Sequence, residues 1–178
     1  MRPKNTPNDP ERRERIVDAA IELIRDGGTA RVTARAVAQR AGVPVGSVAY
    51  HFDSVRALLI EASRRVLRFR ADSLDEWLRE VTAETVVARL AELIHHHLTA
   101  ERGTSVVTYE LYVLGMRDPE FRAVSRASLV HLRDKLAEVL PAPAADRLAA
   151  TADGYQMQCL FEDRTPAPAH IREMLRPT

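Results

Sequence analysis

The sequence predicts an all-α protein with about nine helices. Apolar residues recur at three- and four-residue spacing, the period of an amphipathic helix, over most of the 178 residues. Glycine and proline separate these stretches, because glycine commonly ends a helix and proline cannot continue one. The stretch nearest to a strand is 106–109, and it is too short to show a sustained two-residue period.

The first two helices are predicted from the residues that begin and end them. Asp9 caps the first helix and Pro10 takes its first position, where the missing N–H of proline costs no hydrogen bond. The glycine pair 27–28 ends this helix. Thr33 caps the second helix, and Gly42 ends it because glycine tolerates a positive φ.

The later helices are separated by acidic or hydroxyl caps and by proline-rich breaks. Asp53 or Ser54 caps a long fourth helix, and Asp118 with Pro119 opens the seventh. The segment 1–8 shows no helical period and is predicted to be a flexible tail. The predicted helices cover about 10–26, 34–41, 45–52, 54–78, 85–98, 105–116, 118–140, 144–163 and 170–176.

Composition excludes several classes of protein. Apolar residues make up 46% and charged residues 29%, which excludes a disordered chain. No uncharged apolar run approaches the ~18 residues of a membrane span, and residues 1–20 lack the apolar segment of a secretory signal. The single cysteine, Cys159, excludes an internal disulfide and fits a reducing compartment. We therefore expect a cytoplasmic protein without a membrane partner.

Residues 33–52 form the most informative segment, TARAVAQRAGVPVGSVAYHF. It predicts two short helices around a tight turn at 41–43, which is the pattern of a helix-turn-helix whose second helix lies in the DNA major groove. Ala38 is small where the two helices must approach each other. The segment also lies in the mildly basic end of the chain, since residues 1–56 carry ten Lys and Arg against seven Asp and Glu.

Over residues 12–60 the chain resembles the tetracycline-repressor (TetR) family of bacterial regulators. A first helix ending in Gly-Gly is followed in order by T-x-R-x-V-A-x-x-A-G-V and G-S-V-x-x-H-F. Beyond residue 60 the resemblance is architectural, and includes Asp-Pro-Glu at 118–120 and Asp-Gly at 153–154. The resemblance implies a helix-turn-helix domain over 9–56 and a helical effector-binding and dimerisation domain over 57–178.

The resemblance implies a homodimeric transcription factor that binds a palindromic operator in double-stranded DNA. A small-molecule effector in the second domain would release it, and no cofactor or catalytic residue is implied. Thr33 would contact a phosphate in addition to capping, and Arg35 would reach a base edge. The residues implied in DNA contact are Thr33, Arg35, Val45, Gly46, Ser47, Ala49, Tyr50, His51 and Arg56.

Two positions depart from the family pattern. Ala49 stands where the family usually has a tyrosine, and Val55 stands where it has a lysine that contacts a phosphate. Tyr50 and Arg56 each follow one position later. Successive helical residues point about 100° apart, so whether these two side chains substitute stays open.

Two polar side chains in the second half fall on apolar stripes. His97 is either a core histidine with a hydrogen-bond partner or a group that lines a cavity. Glu110 either pairs with His97, Arg126 or a cationic ligand, or faces solvent. Methionine and aromatic residues at helical spacing are more often plain core, but they also supply the walls of pockets. The candidate effector residues are Trp77, His97, Tyr109, Glu110, Met116, Tyr155 and Met157.

The last two long helices carry more apolar surface than one stripe. The excess predicts a second face for the equivalent helices of a partner chain, which the resemblance describes as a four-helix bundle. The candidate dimer residues are Leu129, Leu136, Leu148, Ala152 and Leu160.

Two clusters in the second half receive other interpretations. The three consecutive histidines 95–97 point in different directions, so they are not expected to bind one metal ion, and a histidine-dependent metal hydrolase is the least favoured alternative. Arg64, Arg65, Arg68 and Arg70 are predicted to form a solvated face of the fourth helix. The main alternative is a DNA-binding regulator without an effector, which a second domain without a cavity would favour.

Overall fold

The computed structural model describes residues 11–176, and it confirms the all-α fold. Within this range the chain forms nine helices and no strand, and the stretch 106–109 lies inside a helix. The helices are α1 (Arg12–Gly27), α2 (Ala34–Ala41), α3 (Val45–His51), α4 (Val55–Trp77), α5 (Val86–Leu98), α6 (Arg102–Arg117), α7 (Pro119–Ala137), α8 (Ala142–Phe161) and α9 (Pro168–Leu175).

The caps around the predicted helix-turn-helix are confirmed. The Thr33 hydroxyl accepts a hydrogen bond from the backbone N–H of Ala36 at 3.1 Å, and Gly42 ends α2 with a φ of 65°. Between α1 and α2 the chain adds a short 3₁₀ turn, Thr29–Arg31, that the sequence did not predict. The predicted tail and the Asp9 cap lie outside the described residues.

Several helix ends differ from the prediction. α7 ends at Ala137, three residues before the predicted end at 140, and the chain turns over 138–140. α8 begins at Ala142, before Pro143. A proline is tolerated in the first turn of a helix, where its N–H would have no intrahelical partner, so Pro143 belongs to α8 and does not separate it from the preceding turn.

The contacts within the chain divide it between Ser63 and Arg64, inside α4. In the first unit, α1 packs against α2 and α2 against α3. Arg40 ties α2 to α1, since its guanidinium donates to Glu22 at 3.1 Å and to Asp26 at 2.7 Å. The core of this unit includes Ile16, Val17, Ala20, Ile24, Val37, Ala38, Val48, Phe52 and Leu58.

The second unit is built around α5, which packs against α8 and α9, and around α7, which packs against α6 and α8. Its core includes Leu90, Leu93, Ile94, Leu136, Leu148, Ala152, Tyr155, Cys159 and Ile171. The prediction that Leu136, Leu148 and Ala152 contact a partner chain is therefore wrong. Their side chains are 0%, 7% and 3% exposed within the single chain, which leaves them no surface for a partner.

Gly115 sets the close approach of α6 and α7. A Cβ at this position would lie 3.2 Å from Arg122 Cα, which is tighter than ordinary van der Waals contact. The backbone carbonyl of Gly115 also accepts a hydrogen bond from Arg122 Nε at 3.0 Å. Among the described helices, none combines the length and the apolar character that crossing a bilayer requires.

Candidate functional site

The short helix α3 has one buried side and one open side. Val48 is 3% exposed and anchors the helix in the core of the first unit. Val45 and Tyr50 are 52% and 84% exposed, and Gly46 and Ala49 are also exposed. The implied DNA-contact residues of α3 thus lie on the side that does not pack against the protein, while Ser47 and His51 are half-buried.

The open side continues on α2. Arg35 is exposed, and it forms no ion pair or hydrogen bond with any described residue. Gln39 follows four residues later, so it lies one turn further along the same side of α2, and it is exposed as well. Gln39 was not among the predicted contact residues, although its four-residue spacing from Arg35 indicates that the two share a side of α2.

The two departures from the family pattern have different surroundings. Tyr50 and His51 contact each other edge to face, with ring centroids 5.1 Å apart. Val55 is half-buried at the first position of α4, whereas Arg56 is exposed. Arg56 is therefore more exposed than Val55, the residue that it follows, whereas Tyr50 and Ala49 are both exposed.

A cavity of about 60 Å³ lies within the second unit, between α4, α5, α7 and α8. Pockets for drug-sized ligands usually measure roughly 300 Å³ or more, so this cavity accepts only a small molecule unless its walls move. Apolar side chains from α4, α5 and α7 form part of its surface. The polar residues that line it are Arg70, His97, Tyr112, Ser128, His131, Asp153 and Gln156.

Three hydrogen bonds connect one side of the cavity. Arg70 Nη1 donates to Ser105 Oγ at 3.3 Å, and Ser105 Oγ donates to the His97 carbonyl at 2.9 Å. The His97 ring and the Gln156 side chain form the third, with Nδ1 and Oε1 3.3 Å apart. His97 thus lies at a cavity, one of the two alternatives that the sequence left open, and it is Gln156 that partners it there instead of Glu110.

Burial shifts the pKa values of both His97 and Arg70. Burial, together with the nearby Arg70 charge, lowers the pKa of His97 to about 3. The ring is therefore neutral near pH 7, with Nδ1–H as the donor to Gln156 and Nε2 as an acceptor. Burial also lowers the pKa of Arg70, although a guanidinium stays protonated.

Arg70 was predicted to lie on a solvated face, but its side chain is half-buried and lines the cavity. Leu67 and Leu74, which lie three and four residues away on α4, are both buried, so Arg70 shares their side of the helix. Gln156 was missed for a related reason, because it falls on the buried stripe of Ala152 and Cys159 on α8. In both cases the helical phase was the available signal.

The cavity lining also contains a carboxylate, Asp153, which lies three residues before Gln156 on α8. The Tyr109 hydroxyl donates to the Asp153 carbonyl at 3.0 Å and lies 3.4 Å from Oδ1 of the same residue. Burial raises the pKa of Asp153, and burial together with Asp153 raises that of Tyr109. Tyr112 donates to Ser128 at 3.3 Å, and burial raises its pKa to about 12.

A separate cleft of about 620 Å³ opens on the surface between α6 and α8. Its lining is mostly apolar and includes several residues that the sequence assigned to the effector pocket: Tyr109, Glu110, Met116 and Met157. Trp77 and Tyr155 line neither the cleft nor the cavity. Trp77 stacks near His96, and Tyr155 is buried in the core, so these two predicted pocket residues lie elsewhere.

The three consecutive histidines have three different surroundings. His95 Nδ1 lies 2.9 Å from the Pro166 carbonyl, and His96 Nε2 lies 3.5 Å from a Glu101 carboxylate oxygen. His97 contacts Gln156. Within residues 11–176, no group of three or more potential ligands is arranged to hold a metal ion.

Two family models match the sequence over most of its length. The family described as bacterial regulatory proteins, tetR family, matches residues 16–62, which contain α2 and α3. The tetracyclin repressor-like C-terminal domain matches residues 81–178, more than half of the chain. The chain belongs to the TetR family. This match confirms the family resemblance drawn from residues 12–60.

A curated relative of this TetR-family chain is the uncharacterized HTH-type transcriptional regulator Rv2912c of Mycobacterium tuberculosis. The two are 30% identical over 108 residues, which is 61% of this chain and 55% of the relative. The chain thus spans about half the length of the first curated relatives that it matches.

Two solved structures share the fold over nearly the whole chain. The transcriptional regulator SCO7518 from Streptomyces coelicolor A3(2) is 32% identical, with a TM-score of 0.84 over 93% of this chain and 96% of that one. The multidrug binding protein EbrR complexed with ethidium is also 32% identical, with a TM-score of 0.81 over 94% of this chain and 98% of that one.

Proposed function

We propose that this regulator is a homodimeric repressor that binds a palindromic operator and leaves it when a small molecule occupies the second unit. The observation that carries the proposal is the open side of α2 and α3, where polar and small apolar side chains face away from the core. A helix-turn-helix uses such a side to read the major groove. The polar cavity in the second unit supports an effector, as does EbrR, which was crystallised with ethidium.

The DNA contacts that we propose follow from side-chain chemistry. Arg35 forms bidentate hydrogen bonds to a guanine, because its guanidinium has no partner among the described residues. Val45 and Ala49 pack on thymine methyl groups. Tyr50 donates a hydrogen bond from its hydroxyl to a phosphate. Such a contact orients the protein on DNA without reading the base sequence. The remaining contacts come from Thr33, Gly46, Ser47, His51 and Arg56.

We place the dimer interface on the cleft between α6 and α8. Val113, Met116 and Phe161 are 58%, 71% and 86% exposed, and Met157 is 41% exposed. Large apolar side chains rarely gather on the surface of a monomer unless a partner covers them. A second copy of this chain is the partner that the proposed palindromic operator requires, because two half-sites need two heads. Leu129 and Leu160, both predicted from the sequence, line this cleft.

Operator binding is tested with duplexes selected from random DNA by the purified protein. Arg35→Ala should weaken binding to the selected operator by about 5- to 150-fold and relax the preference at one base pair of each half-site. Arg79→Ala is the matched control, because Arg79 is an exposed arginine in the second unit that pairs with Glu76. Equal weakening on operator and scrambled duplex would assign Arg35 to a phosphate instead. If selection enriches no sequence, the proposal of operator binding fails.

Release is tested with compounds that raise the melting temperature of the protein. A compound that binds the second unit should lower operator affinity by about 5- to 150-fold, which is the usual range of coupling between two sites. Binding that leaves operator affinity unchanged for every such compound would contradict a ligand-released repressor. It would favour a regulator that works without an effector.

A further inference from the structure

Arg70 brings a positive charge into the cavity that no described carboxylate contacts directly, although Asp153 and Glu101 stabilise it from a greater distance. Its guanidinium has five N–H donors, and its single hydrogen bond with a described residue goes to Ser105 at 3.3 Å. No carboxylate among residues 11–176 forms an ion pair with it, although Asp153 lines the same cavity. A buried guanidinium is stabilised chiefly by an anion that accepts two of its hydrogen bonds.

Two further polar atoms in the cavity wall lack partners. His97 and Gln156 are 5% and 4% exposed. His97 Nε2 and Gln156 Nε2 are both buried, and neither has a hydrogen-bond partner among the described residues. The first is an acceptor and the second a donor, given the hydrogen bond between Nδ1 and Oε1. Such atoms carry a cost of desolvation unless a ligand or a water satisfies them.

A basic groove adjoins the cavity. This groove lies between α4 and α7, measures about 490 Å³, and shares Ala71, Ser128 and His131 with the cavity lining. Arg64 and Arg68 also line it, whereas none of the described residues that line it is a carboxylate. A positively charged approach raises the local concentration of anions.

We propose that the cavity binds a small carboxylate that carries a hydroxyl or ammonium group on the neighbouring carbon. The carboxylate accepts hydrogen bonds from Arg70 and from Gln156 Nε2, and the neighbouring group donates to His97 Nε2. This inference rests on the proposed function, since it names the class of effector that the cavity serves. Asp153, which lines the same cavity, decides between the two donors, because a carboxylate attracts an ammonium group more strongly than a hydroxyl.

The size of the cavity supports the same class. A volume of about 60 Å³ matches a molecule with a few heavy atoms and excludes a polycyclic dye without a rearrangement of the walls. The chain therefore differs in proposed ligand from EbrR, the relative crystallised with ethidium. Arg70 disfavours a cation at this site by like-charge repulsion.

The test compares acids with uncharged or less anionic analogues of the same shape. L-Lactate and L-alanine are titrated into the full chain at constant ionic strength near pH 7, alongside lactamide and alaninamide. Binding is followed by NMR through the side-chain amide signal of Gln156 and the ring signals of His97. We expect each acid to bind at least about tenfold more tightly than its amide, because the amide loses a charge-assisted bidentate pair. L-Alanine should exceed L-lactate if Asp153 contributes.

Two variants identify the residues. Arg70→Met keeps most of the side-chain volume and should reduce acid binding by about tenfold or more while leaving the binding of uncharged lactamide unchanged. Gln156→Glu keeps the shape of the side chain, adds a negative charge, and should likewise weaken binding of the acids but not of uncharged lactamide. Arg79→Met is the control for loss of an arginine at an exposed position. Thermal unfolding of each variant establishes that it folds.

The results separate this inference from the proposed function. If no acid binds more tightly than its amide, or if both variants bind acids as the wild type does, the carboxylate site is refuted. Release of operator by ethidium in that case would leave the repressor proposal intact. Acids that bind through Arg70 without changing operator affinity would confirm the site and contradict its role as the effector site.

Discussion

His97 on α5 and Gln156 on α8 join the two helices through a buried hydrogen bond, with Nδ1 and Oε1 3.3 Å apart. Both side chains belong to the wall of the internal cavity. Because the ring is buried, its pKa falls from the usual 6.5 to about 3. Protonation of His97 is therefore unfavourable in the folded protein, so the free energy of unfolding depends on pH.

Acid should weaken the fold through His97. Between about pH 3 and 6.5 the unfolded chain binds a proton that the folded ring does not, so the free energy of unfolding rises with pH across this window and is independent of His97 above it. The expected contribution to the slope is about 1.4 kcal/mol per pH unit. Urea unfolding of wild type and His97→Gln between about pH 4 and pH 8 measures it, and the variant should show the shallower slope.

His51→Gln is the control for this measurement, because His51 is half-buried on α3 in the first unit. If His97→Gln leaves the slope unchanged, the ring is protonated in the folded protein as readily as in the unfolded chain, and its assignment as a neutral acceptor is wrong.

Gly115 and Gly103, both on α6, should respond in opposite ways to substitution by alanine. Gly115→Ala places a methyl group 3.2 Å from the Arg122 backbone and should lower the free energy of unfolding by about 1–3 kcal/mol. Gly103→Ala meets no heavy atom within 4 Å and should raise it by up to about 1 kcal/mol, because alanine favours helix. Denaturant midpoints compare the two, and a stabilising Gly115→Ala would show that α6 and α7 separate easily.

A charge placed in the α6–α8 cleft should dissociate the proposed dimer. Phe161→Glu and Val113→Glu each put a carboxylate on exposed apolar surface, so they should yield folded monomers in sedimentation experiments. Met174→Glu is the matched control, because Met174 is a similarly exposed apolar residue on α9 outside the cleft. A wild-type chain that sediments as a monomer, or a dimer that survives both substitutions, would rule out this interface.

Val55→Lys should restore the phosphate contact that the family pattern has at this position. It should tighten binding to operator and scrambled duplex about equally, and steepen the dependence of log K on log salt by about two units per dimer. Salt titrations of both duplexes measure this effect. If the slope does not change, Arg56→Ala in the wild-type background separates the reasons: a shallower slope means that Arg56 already makes the contact, and an unchanged slope means that the helix begins too far from the backbone.

Local signals in the sequence predicted the helix-turn-helix closely. As predicted, α2 begins after Thr33 and ends before Gly42. Both signals are local, because a capping side chain and a left-handed glycine each determine the conformation of only a few neighbouring residues. The 3₁₀ turn after α1 escaped prediction, since such a turn needs no distinctive residue. Local structure was therefore predictable from the sequence where a single side chain determines it.

The cavity depended on tertiary structure that the sequence alone does not specify. Arg70 was predicted to face solvent because it is charged. Its spacing of three and four residues from Leu67 and Leu74 nevertheless puts it on the same side of α4 as these buried leucines. Apolar residues posed the opposite problem, because a leucine buried in the core and one that faces a partner look alike in sequence. Leu136 lies in the core, whereas Leu129 lines the surface cleft seven positions earlier on the same helix.

Tyr112 and Asp153 line both the internal cavity and the surface cleft. A single layer of side chains therefore separates the space proposed for the ligand from the surface proposed for the second subunit. Thermodynamic linkage makes such an arrangement reciprocal: a molecule that displaces this layer from inside changes the affinity of the subunits, and subunit association changes the affinity for that molecule by the same factor. If both proposals hold, protein concentration becomes a regulatory variable, and ligand affinity measured on dilute chains should differ from that measured on assembled ones.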